Sequence, residues 1–131
     1  MTYGAESRPM KKIVENKMEV AKMRMLRWSA GITRLDKVSS DLVMETTRIT
    51  DVSKEIQEKR LHRFGHVMRG DQEYVGRRLL EMDVPGRRRM GRPKRMWREC
   101  VIADMEGKYL TVEDIGDRRN WKQLSRNSHP S

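Results

Sequence analysis

Residues 87 to 98 read Arg87-Arg88-Arg89-Met90-Gly91-Arg92-Pro93-Lys94-Arg95-Met96-Trp97-Arg98. Seven of the twelve are Lys or Arg and none is acidic, so no core can hold them. A cationic run this dense repels itself in water and becomes favourable when a polyanion displaces its counterions. Gly91 and Pro93 interrupt the run and keep it from continuing a helix. The chain must therefore fold around an exposed basic segment, and nucleic acid is the first class of partner it suggests.

What surrounds that segment has little apolar material. Only 36% of the 131 residues are apolar, against about 45–50% in ordinary globular chains. Net charge is +10. Such a chain buries a thin core, built from helices with one apolar stripe each. The expectation is an all-α, elongated module of about five helices with a basic Gly/Pro-containing loop, as one domain over 1–131. Within it, 11–70 should hold the N-terminal helices, 71–92 a basic loop segment, 93–126 the C-terminal helices and 127–131 a frayed tail.

Periodicity places the helices. Val14, Met18, Ala21, Met25 and Trp28 line one face of a helix over Lys11–Ala30, and that stripe predicts core. Gly31 ends the helix as its C′ residue. A short helix spans Asp41–Arg48, capped by Ser40 or Asp41. After Asp51 a third runs from Val52 to Arg69, with Val52, Ile56, Leu61, Phe64, Val67 and Met68 on its apolar arc. Tyr74-Val75 and Leu79-Leu80 fit either a short helix or a strand. Residues 85–92 read as an exposed loop. Pro93 suits the first position of the next helix, whose apolar face is Met96, Trp97, Cys100, Val101 and Met105, with Gly107 ending it. The last helical segment starts at Thr111, carries Glu113 and Asp114 in its first turn, pairs Leu110 with Ile115 as a hydrophobic staple, and continues through Trp121 and Leu124. Gly116 can split it, and the chain from Ser125 to Ser131 reads as frayed.

The chemistry the chain lacks narrows its function. It has no Gly-rich phosphate loop, no nucleophile elbow and no zinc-protease signature. Its acids are scattered among bases, unlike the Asp pair of two-metal phosphoryl transfer. No catalytic residue, cofactor or metal is expected. His62 and His66 stand four apart and could join Cys100 around a metal, but structural zinc wants four ligands and there is one cysteine. His66 is expected to pack beside Phe64, and Cys100 to be buried and inert. A lone cysteine and the lack of a long apolar run or a signal-peptide block predict an intracellular chain with no membrane partner. The basic run can also serve as a nuclear-import signal, which points to the nucleus. Met90-Gly91-Arg92-Pro93-Lys94 approximates an AT-hook, in which an extended Gly-Arg-Pro enters a narrow minor groove, with Met90 where a basic residue is usual. Trp97 is expected to anchor its helix and not to stack on a base.

Several segments together resemble the C-terminal region of reverse transcriptases from non-long-terminal-repeat retrotransposons. Tyr3-Gly4-Ala5-Glu6 resembles its Tyr-Gly-x-Glu opening, and Met25-Leu26-Arg27-Trp28 followed by Gly31-Ile32-Thr33-Arg34-Leu35-Asp36 its next signature. Arg60-Leu61-His62-Arg63-Phe64-Gly65-His66-Val67 resembles the Arg-Leu-x-Trp-Phe-Gly-His-Val block, with Arg63 in place of Trp. Pro85 to Trp97 is similar to the basic Gly-Arg-Pro segment, and Asp117-Arg118-Arg119-Asn120-Trp121 to the final Asp-Arg-x-x-Trp. These matches span roughly residues 3 to 128 in the family's order. The palm with its aromatic-x-Asp-Asp motif, the endonuclease and the zinc knuckle of some members have no counterpart here. The resemblance thus implies a non-catalytic accessory piece that helps hold template RNA or target DNA, with a parent or related reverse transcriptase as a second partner. The residues expected to contact phosphates are Arg87, Arg88, Arg89, Arg92, Lys94, Arg95 and Arg98.

Overall fold

A computed structural model describes residues 4–49, 51–83, 85–86, 90–93 and 95–126. Among these the architecture is all-α: α1 (Lys12–Ser29), α2 (Ser40–Thr47), α3 (Val52–Arg69), α4 (Val75–Glu81), α5 (Trp97–Gly107) and α6 (Arg118–Arg126), with short 3-10 turns between some of them. The segment that fitted helix or strand is the helix α4.

Local signals explain most boundaries. At the end of α1 the Gly31 N–H donates to Trp28 O and the Ile32 N–H to Arg27 O, with Gly31 at φ +67°. This is the Schellman pattern, and its left-handed residue favours glycine. Asp51 caps α3 by accepting from the Ser53 N–H at 3.1 Å. The cap of α2 is Ser39, whose hydroxyl accepts from the Leu42 N–H at 3.2 Å, and not Ser40 or Asp41; Ser39 is the residue with extended backbone ahead of the first turn. α5 opens at Trp97 and not at Pro93. The Glu99 carboxylate accepts the Met96 N–H at 2.9 Å, the reach-back of a glutamate at the third helical position, and it sets the start four residues beyond the proline. Gly116 ends a 3-10 turn, Glu113–Gly116. Asp117 then caps α6 by accepting from the Arg119 and Asn120 N–H groups at 2.9 and 3.2 Å. Ser125 is not frayed: it is buried in α6, and its carbonyl accepts a hydrogen bond from Lys108 Nζ. The tail 127–131 lies outside the described residues.

The helix α3 is the spine. Leu61 and Phe64 on its C-terminal half pack with Val101, Met105, Leu110, Ile115 and Trp121. Val52 and Ile56 on its first turns form a smaller cluster with Met10 and Met18. Eighteen residues span about 27 Å, so two separate small cores are strung along one rod. The chain exposes 10901 Å², about one and a half times the ~7,200 Å² of a compact monomer of 15.6 kDa. That excess is surface that a thin core leaves uncovered.

The α1 stripe is the main correction. Of its five residues only Met18 packs on α3; Val14 and Met25 are exposed, and Trp28 is 85% exposed. The inward side carries Met18 and the buried Lys22, together with Glu19. At about 100° per residue this side is turned roughly a quarter turn from the stripe. The reason is polar. Glu19 accepts the Val52 N–H at 3.1 Å, one of the first-turn amides of α3 that have no partner within their own helix. That bond orients α1 on α3 more strongly than an apolar stripe with little surface to meet.

The α3–α6 seam makes stability depend on pH. Burial lowers the pKa of His62 below its ordinary value, while Glu58 pulls it the other way and Arg126 and Lys122 reinforce the lowering. The folded value lies below the unfolded one, so the unfolded state binds more protons as the pH falls through about 6.5. Stability is therefore lost on acidification across that range. Asp36 and Asp114 act in the same sense further down, because each accepts from a threonine backbone N–H and hydroxyl (Thr33 and Thr111) that hold its carboxyl below the usual range. The melting temperature in phosphate-free buffer is expected to fall between pH 7.5 and 5.5, and His62→Gln to flatten that fall. An unchanged slope in the variant would assign the dependence to other groups.

Candidate nucleic-acid interface

The described residues of the basic run ahead of α5 are exposed. Pro85, Gly86, Met90, Gly91, Arg92, Pro93 and Arg95 are all solvent-facing. Gly91 sits at φ +117°, a value open to glycine and strained for other residues. The chain bends through Met90–Arg92, so in the free protein the Gly-Arg-Pro is not the extended rod that minor-groove insertion uses.

Three of the seven expected phosphate-binding residues lie among the described residues. Arg92, Arg95 and Arg98 are exposed, and among the described residues no carboxylate lies within 4.0 Å of any of them. The acid that feels Arg95 is Asp104. Asp104 is already engaged by Arg60, whose Nη1 lies 2.7 Å from it with both side chains largely buried. Burial raises the Asp104 pKa, and Arg60, Gln57 and Arg95 each oppose that rise. Arg87, Arg88, Arg89 and Lys94 lie outside the described residues.

Trp97 holds the end of the run in place. Its indole N–H donates to the Glu6 carbonyl at 2.7 Å, and its ring stands 6.3 Å from Phe64 at 56°. It anchors α5 from its first residue, which leaves Arg95 and Arg98 on either side to project. A tilted aromatic contact plus a satisfied N–H is the arrangement of a structural tryptophan.

The other segments of the resemblance take mainly structural places. From Arg60 to Val67, Arg60 pairs with Asp104, Leu61 and Phe64 fill the main core, and Gly65 faces Trp121. Arg63, where the family pattern has Trp, is exposed. From the last block, Asp117 caps α6 and Trp121 is buried, its N–H donating to Leu61 O at 2.9 Å. Thr33 and Asp36 form a capping pair, with the Thr33 N–H and hydroxyl donating to the Asp36 carboxylate at 2.6 and 2.9 Å. Every one of these residues except Arg63 builds a helix end or a contact between helices. Tyr3 lies outside the described residues.

Two expectations about histidine and cysteine resolve differently. His66 is exposed and meets Tyr74 edge-on at 6.3 Å, not Phe64, because it points away from the main core. Cys100 is buried and free. Among the described residues no group of three His, Cys, Asp or Glu is placed to hold a metal ion, and no helix is long and apolar enough to cross a membrane.

Sequence periodicity missed a groove of about 880 Å³ between α1 and α2. Trp28, Met23, Val38 and Met44 line it, with Arg24 and Lys37 also in its walls. Of these residues only Trp28 stands in the apolar stripe assigned to the core. The excess of apolar stripe on α1 over apolar surface on its neighbours was the available signal. No protein-family model, curated protein or solved structure matches this chain.

Proposed function

We propose that this chain is a non-catalytic nucleic-acid-binding module, of the kind found in the C-terminal part of retrotransposon reverse transcriptases, holding RNA or DNA phosphates on its basic loop. One observation carries the reading: Arg92, Arg95 and Arg98 face solvent with no carboxylate within 4.0 Å among the described residues. Arg87, Arg88, Arg89 and Lys94 extend the same run in sequence. Guanidinium groups presented this way contact phosphates regardless of base sequence. A nuclear setting and a parent or related reverse transcriptase as partner belong to the same reading. A salt-titrated binding assay on RNA and DNA tests it, and absence of binding to both at about 50 mM salt removes it.

A second reading has its own observation. Trp28, Val20 and Met25 form an exposed apolar face on α1, and faces of this kind mark contacts with other proteins or a fragment separated from its parent enzyme. A retroelement relic or protein-interaction module of this sort is expected to self-associate or melt gradually, with Trp28→Ser reducing the association. A monomer that melts in one sharp transition rules it out.

A further inference from the structure

The flank of α3 opposite Phe64 carries a second cationic site. His62, His66 and Arg69 fall within about 60° of one another around α3, and Arg118 and Lys122 stand four residues apart on α6. With Trp121 they line a cleft of about 340 Å³, the space of about ten waters. No carboxylate is in its lining. Glu58 is 4.0 Å from His62 Nε2 and is engaged by Arg126 at 3.1 Å.

We propose that this cleft binds a phosphate monoester, with Arg69, Arg118 and Lys122 as the charged ligands and His66 as a further donor. The cleft takes the 5′-phosphate end of a nucleic-acid strand, and in this it rests on the binding function proposed above. Three permanent cations around a pocket without an acid are held against their mutual repulsion, and an anion entering the pocket relieves it. Among the described residues neither Arg118 nor Lys122 has a carboxylate within 4.0 Å. His62 lines the cleft with its ring, while its buried Nε2 lies 4.0 Å from Glu58, outside the lining. Arg69 is already oriented, because its Nη1 donates to the Ile115 carbonyl at 3.1 Å. The end of α6 adds nothing, since Asp117 occupies its first amides. Size and charge select the ligand. The pocket is too small for a duplex, and a monoester carries about −1.5 to −2 near neutral pH against about −1 for a phosphodiester.

The test uses the full chain with Arg87, Arg88, Arg89, Arg92, Lys94, Arg95 and Arg98 changed to Ala, so that loop binding does not mask the cleft. Inorganic phosphate is titrated by NMR against sodium chloride at matched ionic strength. Side-chain resonances of His62, His66, Arg69 and Arg118 are expected to move with phosphate and not with chloride, and Arg118→Ala/Lys122→Ala to weaken that binding at least tenfold with the melting temperature unchanged. A 5′-phosphorylated oligonucleotide is expected to bind at least fivefold tighter than its 5′-hydroxyl twin, and the preference to vanish in the double variant. Phosphate binding at the cleft with no preference between the oligonucleotides keeps the monoester site and assigns free phosphate as its source. Equal shifts with chloride, or phosphate shifts that survive the double variant, overturn the proposal. Failure of the loop reading is separate, since it shows as unbound 5′-hydroxyl oligonucleotide on the unaltered chain.

Discussion

Gly65→Ala is expected to destabilise the chain by about 3 kcal/mol and to lower its melting temperature by about 10 °C or more. A Cβ at Gly65 would stand 2.4 Å from Trp121 Nε1 and 2.7 Å from its Cδ1. The ring cannot step aside. Trp121 is 1% exposed and tied by its N–H to Leu61 O on the same helix as Gly65. Trp121→Ala alone is expected to cost about 4 kcal/mol by removing the largest side chain of the main core. The pair makes a cycle. With the indole gone the added methyl meets only Arg69 Nη1 at 3.0 Å, the end of a flexible side chain, so Gly65→Ala should cost well under half as much in the Trp121→Ala background. Circular-dichroism melts of the four proteins measure this. Additive losses would mean that the glycine is needed for some reason other than the tryptophan.

Changing Arg87, Arg88, Arg89, Arg92, Lys94, Arg95 and Arg98 together to Ala is expected to lower nucleic-acid affinity by at least a hundredfold at about 100 mM salt. The slope of log K against log salt on duplex DNA should become shallower by about 0.9 for each phosphate that is no longer neutralised. The three arginines Arg92, Arg95 and Arg98 alone should remove up to about 2.7 of that slope. Folding should be nearly unchanged, since the described members of the run are exposed and form no ion pair among the described residues. An Ala variant that binds as tightly and with the same slope would move the contact surface elsewhere, with Arg24, Arg34 and Lys37 around the α1–α2 groove as the next cations to change.

The legibility of this chain divides by range. Gly31, Asp51 and the apolar arc of α3 were readable, because caps and periodicity act over four or five residues. Pro93 misled for the same reason: proline is permitted at a helix start, but the reach of Glu99 to Met96 decided where α5 begins. The orientation of α1 was not readable. It depends on Glu19 meeting the Val52 amide, 33 residues away, and a hydrophobic stripe carries no sign of such a bond. The role of Gly65 was likewise hidden, since only the arrival of Trp121 beside α3 makes a side chain impossible there.

By itself the sequence determined an all-α chain with a thin core and a basic run too charged to bury, because helix signals are local and desolvating guanidinium groups is unfavourable in any fold. The tertiary structure alone decided which faces meet. It placed His62 and His66 opposite Arg118 and Lys122, and it left Trp28 in solvent. The physical reason is that packing between helices is settled by a few contacts between residues distant in the chain, and those contacts have no periodicity to read.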